Sequence, residues 1–183
     1  MGSESHPLPQ SSSHPVPLVK PRARVSAGIL LYRQRQFGLE VLIGHPGGPY
    51  FARKDAGYWS IPKGEVEGDE DLVAVARREF EEEVGTPLTT PDADLIGLGE
   101  IIQKGGKRVV AWAAEGDLDP TAAHSNTFPI EWPPRSGRIL EIPELDRVAW
   151  CTLDVARRLL KDRQTPFIDR LEALLASRDD RTD

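Results

Sequence analysis

With one cysteine among its 183 residues, the chain cannot form an internal disulfide. That cysteine, Cys151, ends the apolar run Val148, Ala149, Trp150, Cys151, which predicts a buried, inert thiol rather than a nucleophile and fits a reducing cytoplasm. No apolar run approaches the roughly 20 residues of a membrane-spanning helix, and the first residues lack the apolar core of a signal peptide, so no membrane role is expected. Positive charge is also short: 23 Lys and Arg against 29 Asp and Glu leave a net charge of −6. That balance argues against broad electrostatic binding to DNA, RNA or an anionic membrane, although a nucleotide remains open as a small substrate. No internal repeat and no DNA-binding helix pair stand out. With 39% hydrophobic residues, there is enough material for one domain with its own core.

The informative stretch is residues 64–86, a glycine entry followed by one acidic helix. At about 100° per residue, Leu72, Val73, Ala76, Phe80 and Val84 share an arc of about 120° and predict a buried face. Glu79, Glu82 and Glu83 stand at i, i+3 and i+4 and project as one cluster from an arc that adjoins and partly overlaps it, whereas Glu81 points to solvent. Three carboxylates there repel one another, and Arg78 meets only part of their charge, lying on the far side of Glu82 from Glu83. A hard divalent cation answers the rest, and magnesium typically takes one or two carboxylates together with substrate phosphates. Taken without its neighbours, such a run of glutamates is more often a solvated face.

The neighbours alter that balance. The stretch resembles the Nudix box, G-x5-E-x7-R-E-U-x-E-E-x-G-U with U a bulky apolar residue, through Gly64, Glu70, Arg78, Glu79, Phe80, Glu82, Glu83 and Gly85. Thr86 departs from the last U position, which is a packing position. Seven fixed residues, each met at about one in fifteen by ordinary usage, coincide by chance in a chain of this size roughly once in a million. The resemblance spans residues 25–175 and implies an α/β fold, a Nudix-type α/β/α sandwich around a mixed β-sheet. It also implies metal-dependent hydrolysis of a phosphoanhydride at phosphorus, with no covalent intermediate. Glu79, Glu82 and Glu83, with the Gly64 carbonyl, would hold one to three Mg2+ ions, with Mn2+ as a substitute, and Glu70 would pair with Arg78 to brace loop and helix. Glu82 is the preferred base. Other members place the base on a loop outside the box, so Glu131, Glu141 and Glu144 are its rivals.

Residues 1–21, rich in Ser, Pro and His, predict a disordered leader or the remnant of an expression tag; the domain follows at 22–178 and a flexible tail at 179–183. Residues 25–33 and 39–45 read as a strand pair. A loop at 50–57 carries Arg53 and could overhang the site, with Tyr50, Phe51 and Tyr58 available to stack on a base or simply to pin the loop. Residues 59–62 read as a short strand delivering Lys63 and Gly64, Lys63 being a point charge for a phosphate or a surface lysine. Gly68 and Asp69 signal the start of the helix, placing Asp69, Glu70 and Asp71 in its first turn, and Gly85 signals its end. A second hairpin at 95–103 and 108–114, a strand at 126–132, a loop at 133–137, a strand at 147–151 and helices at 153–161 and 166–177 complete the chain, the last helix with Phe167, Leu171, Leu174 and Leu175 on one face.

Substrate choice rests on thinner ground. The marks that some ADP-ribose, dinucleoside polyphosphate, coenzyme A and NADH enzymes of the family carry are absent around Ile101, Ile102 and Gln103 and elsewhere. Pro62-Lys63-Gly64 is common among hydrolases of nucleoside triphosphates and dinucleoside polyphosphates, which stand first, with ADP-ribose or another nucleotide sugar second. Lys104, Lys107, Arg108 and Arg135 are candidates for extra phosphates, or mere solubilising charges. A Nudix-fold nucleotide sensor without turnover is the reading of a different class, and the intact set of motif glutamates weighs against it. Monomer and homodimer are both open.

Overall fold

Residues Val25–Arg35 (β1) are buried without interruption from Ser26 to Tyr32, which requires a strand covered on both faces. It turns at Gln36 and Phe37 into Gly38–Pro46 (β2), paired antiparallel with Tyr32 opposite Val41. The structure, a computed structural model, describes residues 24–179; the leader expected at 1–21 and residues 180–183 of the expected tail lie outside them. Along the other edge of β1 runs Arg108–Glu115 (β5), in parallel register with Val25 opposite Arg108, and Ile96–Ile102 (β4) closes that side as the antiparallel partner of β5. Leu145–Thr152 (β8) lies antiparallel outside β2. The order β4-β5-β1-β2-β8 is therefore a mixed sheet.

One face of the sheet, with Ala27, Ile29, Leu31 and Leu42, packs on helix α1, Leu72–Val84, through Val75, Ala76, Phe80 and Val84. The other face, with Leu30, Ile43, Val109 and Ala111, packs on α2, Leu153–Leu159, and α3, Thr165–Asp179, through Ala156, Phe167, Ile168 and Leu171. This is the α/β/α sandwich that the sequence predicts.

Several details differ from expectation. β2 pairs only with the second half of β1; the same edge is taken over Ser26, Ala27 and Gly28 by Lys63–Glu65 (β3). The strand expected at 59–62 is thus displaced, because that segment crosses the fork between β1 and β2: Ser60 bridges Gly44 and Trp59 bridges Leu160 before the chain reaches β1. Helix α1 starts later than Asp69. A turn at Glu67 to Glu70 intervenes, and Asp71 caps the helix, its Oδ1 accepting from the Ala74 N–H at 2.9 Å, so the acidic residues precede the first turn. Leu72 and Val73 are only half-buried at that end. The strand near 126–132, Thr127–Glu131 (β6), gains an unforeseen partner in Ile139–Pro143 (β7), forming a separate ribbon. Leu174 lies at the rim of α3 and is exposed, whereas Ile168, outside the predicted apolar face, is fully buried.

Candidate active site

The fork that admits β3 brings Lys63 and Gly64 against the acidic side of α1. Gly64 is the register partner of Ala27, whose side chain lies in the α1 layer. A Cβ on Gly64 would overlap the Glu79 carboxylate, so only glycine lets strand and carboxylate come this close. The Lys63 N–H donates to Glu83 Oε2 at 3.0 Å. Glu79 and Glu83 are consequently 8% and 7% exposed, although both are acids. Glu82 faces outward with 37% of its side chain exposed, and Glu81 is exposed.

Burial pushes the Glu83 carboxyl up to about 7; the Lys63 charge and N–H oppose the shift, while the charges of Glu144 and Glu79 add to it. Burial raises Glu79 as well, against Arg78, with Glu82 and Glu144 contributing in the same upward direction. Arg78 Nη1 lies 2.7 Å from Glu79 Oε1 and 3.5 Å from Glu82 Oε1, so it serves two of the three glutamates and leaves Glu83. Its contact with Glu70 is long, 3.8 Å, and Glu70 holds the Glu67 N–H at 2.9 Å. Among the described residues no three His, Cys, Asp or Glu side chains converge as a finished cage for an ion. Arg78 instead holds Glu79 and Glu82, and the Lys63 N–H holds Glu83. The donor set still fits a hard divalent cation. All its members are oxygens, and two are buried carboxylates whose charged form burial disfavours.

Of the three loop glutamates, Glu144 is the one whose charge acts on both Glu79 and Glu83. It is fixed by its N–H to the Asn126 carbonyl at 2.9 Å and by its own carbonyl, which accepts from the Gly47 N–H at 3.0 Å. Glu131 instead accepts from the Gly137 N–H at 2.6 Å across the ribbon turn, and Glu141 is an exposed ribbon residue opposite Pro129. Tyr50 is 60% exposed, with the Lys54 ammonium 3.2 Å from its ring centre; Phe51 and Tyr58 surround the same ammonium, so the aromatics do pin the loop. Tyr50, Phe51, Phe128 and Trp132 also line a mainly apolar cleft of about 350 Å3 that Glu144 borders. Arg53 is exposed on the same loop. Arg108 is paired to Glu100 and lines a different cleft with Glu65 and Glu70, and Lys107 is bound to Glu65 at 2.8 Å. Cys151 is buried, and burial pushes its thiol up to about 11, as expected of an inert thiol.

Two residues do not stand out in the sequence. His45 is buried, with Nδ1 2.7 Å from Asp146 and Nε2 2.7 Å from the Lys54 carbonyl, and so ties the aromatic loop to β8. Lys161 follows α2, and burial lowers its ammonium pKa; the Lys63 charge acts in the same direction and Glu83 in the other. A polar residue ending an apolar strand is the only signal for His45, and Lys161 has none.

The family model described as NUDIX domain matches residues 22–171. None of the curated proteins matches the chain. Among solved structures, a C. elegans Ap4A hydrolase binary complex is 21% identical, covering 85% of this chain and 99% of its own, with a TM-score of 0.56. The NUDIX domain of Shewanella oneidensis NrtR complexed with ADP ribose is 17% identical over 87% of this chain and 93% of its own, TM-score 0.57. A mutT/nudix family protein from Listeria innocua is 17% identical over 85% and 95%, TM-score 0.54. At these identities the likeness is one of fold. The family match over most of the chain, joined to a box whose acidic residues stand together on α1, settles the assignment: the chain belongs to the NUDIX family, as a Nudix hydrolase acting on phosphoanhydride bonds.

Proposed function

We propose that this chain hydrolyses nucleoside triphosphates or dinucleoside polyphosphates with Mg2+, for which Mn2+ can substitute. The observation that carries the metal dependence is the burial of two acids, Glu79 against Gly64 and Glu83 on the Lys63 N–H, with Arg78 serving only one of them. Glu79, Glu82 and Glu83, with the Gly64 carbonyl, are the residues that would hold the ion. Bound there, a divalent ion would supply charge neutralisation for the diphosphate and would acidify a water. The chain does the rest. Arg78 holds Glu79 and Glu82 in place, and the Lys63 N–H fixes Glu83 so that its carboxylate cannot swing away. Lys63 is also a charge for a substrate phosphate.

The proton of the attacking water goes to Glu82, which stays half-open to solvent at the mouth of the cluster, with Glu144 as its rival from the loop. The nucleobase is assigned to the cleft of Tyr50, Phe128 and Trp132, since Glu144 borders both it and the acidic cluster. Arg53 and Arg108 are secondary: the first is exposed and the second is paired to Glu100.

ADP-ribose is the second reading, favoured by the fold shared with a NUDIX domain complexed with ADP ribose. A cytoplasmic location belongs to the proposal and rests on the single buried thiol; among the described residues no helix is long and apolar enough to cross a membrane. The deciding experiment measures phosphate and nucleotide release across nucleoside triphosphates, dinucleoside polyphosphates, ADP-ribose and NADH, with Mg2+ and with EDTA, beside Glu82→Gln and Glu144→Gln. Metal-dependent release from the polyphosphates is expected, reduced about 10² to 10⁴-fold in whichever variant lacks the base. Tight binding of one compound with no turnover of any would replace the hydrolase with a sensor.

A further inference from the structure

The register of β2 against β8 slips between His45 and Pro46: His45 lies opposite Arg147 and Pro46 opposite Leu145, which leaves Asp146 without a partner across the ladder. In an unbroken ladder Asp146 would point to the face away from His45 and Arg147, and a bulge is what re-aims such a side chain. Here it brings the Asp146 carboxylate to 2.7 Å from His45 Nδ1, while Nε2 of the same ring is 2.7 Å from the Lys54 carbonyl. Both neighbours are acceptors. A neutral ring would turn the lone pair of one bare nitrogen onto an oxygen at hydrogen-bond distance. His45 is 1% exposed, so water cannot relieve that conflict. Only a ring with a hydrogen on each nitrogen makes both bonds.

The surrounding charges suit that form. Asp146 is the anion against the ring. Trp59 stands edge-on, 5.3 Å between ring centres, and donates its N–H to Asp55 at 2.6 Å. Arg147 pairs with Asp55 at 3.3 Å and the Lys54 ammonium lies on Tyr50, so both neighbouring cations are engaged elsewhere. The Nε2 bond holds the aromatic loop. Its turns are closed by the Phe51 N–H on the Gly48 carbonyl at 3.1 Å and the Lys54 N–H on the Phe51 carbonyl at 2.8 Å. The loop leaves β2 where the Gly47 N–H donates to the Glu144 carbonyl at 3.0 Å, and it returns where His45 donates to the Lys54 carbonyl. Between these anchors stand Tyr50 and Phe51, which line the apolar cleft that Glu144 borders. The Lys54 ammonium, 3.2 Å from the Tyr50 ring centre, completes a chain of contacts from Asp146 to the wall of that cleft.

We infer that His45, held as an imidazolium by Asp146, is a positioning residue for nucleotide binding: it fixes the loop at 47–54 so that Tyr50 stands ready as a wall of the cleft. This rests on the assignment of that cleft to the nucleobase. His45 does not itself line the cleft and acts through Lys54. A wall fixed beforehand spares the complex the cost of ordering it, so its loosening weakens binding. The acidic residues of α1 are untouched by it, and the loss should therefore appear in KM rather than in kcat.

The test reads the ring and the binding apart. Nitrogen NMR of the histidine rings, in EDTA at neutral pH, should show both nitrogens of His45 protonated, the signals being identified by their loss in His45→Gln. Asp146→Asn keeps the shape and an acceptor but removes the counter-charge, and the ring should then lose one of its two hydrogens. A nucleoside monophosphate, titrated calorimetrically in EDTA, should bind roughly tenfold more weakly to each variant, the loss of one charge-assisted hydrogen bond. KM for a dinucleoside tetraphosphate with Mg2+ should rise with it while kcat holds. Should His45→Gln not fold, Asp146→Asn carries the same comparison. A wild-type ring with one bare nitrogen, wild-type protein that ignores the monophosphate, or variants with wild-type affinity and KM would overturn the inference while leaving the hydrolase intact. Weakened binding in both variants of a protein that turns over nothing would do the opposite.

Discussion

Glu83 is where burial and charge conflict most. Its carboxyl titrates near 7 in the fold against 4.5 in the unfolded chain, so between those values the folded state holds a proton that the unfolded state has released. The sign follows: in metal-free protein this group's contribution is fully present below pH 4.5 and is lost as pH rises to about 7, a change of about 3 kcal/mol. Urea unfolding in EDTA at pH 5 and pH 8 should show that loss, and Glu83→Gln should remove most of it. Equal pH slopes in the two proteins would contradict the buried assignment. Gly64 offers a second check at the same scale. A methyl there would press on the Glu79 carboxylate, so Gly64→Ala should cost about 1–3 kcal/mol of stability and lower kcat by about 10². Wild-type turnover in a folded Gly64→Ala protein would remove Gly64 and Glu79 from the centre of the site.

Helix α1 is held at both ends by short-range devices. Asp71→Ala should cost about 1 kcal/mol through the lost bond to the Ala74 N–H. Gly85→Ala should cost more, because Gly85 sits at φ 78 and a Cβ would also meet the His124 ring. Thermal melts of the two variants give the ranking directly. Such local devices explain what is legible in the sequence. The periodicity of α1, its glycine stop and the two main hairpins depend on neighbours in the chain. The start of α1 reads too early because Gly68, at φ 59, belongs to a turn before the cap. β7 escapes because Ile139, Leu140 and Glu141 are all exposed, so no alternation marks it. β3 is a three-residue wedge whose partner is chosen by the fork between β1 and β2. The acidic triad is legible as a motif on one helix. Glu144 cannot be chosen over Glu131 and Glu141 from sequence, since the choice depends on the hydrogen bonds that carry it to the cluster.

At the scale of the molecule, an acidic chain has to draw in an acidic substrate, and burial makes Glu79 and Glu83 costly to the fold whenever they are charged without a counter-charge. On the proposal above, a divalent ion supplies it. Removing the ion should therefore leave a protein that is folded but less stable, because α1 packs through Val75, Ala76, Phe80 and Val84 without metal ligands. Restoring it acts by mass action on the folded state alone. At about 100 times its dissociation constant an ion contributes about 2.7 kcal/mol, which in a chain of this size raises the melting temperature by roughly 5–10 °C. Near neutral pH the ion must also displace the proton that Glu83 retains, so proton release should accompany binding at pH 7 and fade at pH 8.5. Scanning calorimetry with Mg2+ and with EDTA, and titration calorimetry in buffers of different ionisation enthalpy, measure the two effects. Glu83→Gln should abolish the proton release and shrink the Mg2+ shift. A Mg2+ shift that survives undiminished in Glu83→Gln would take Glu83 out of the set that holds the ion.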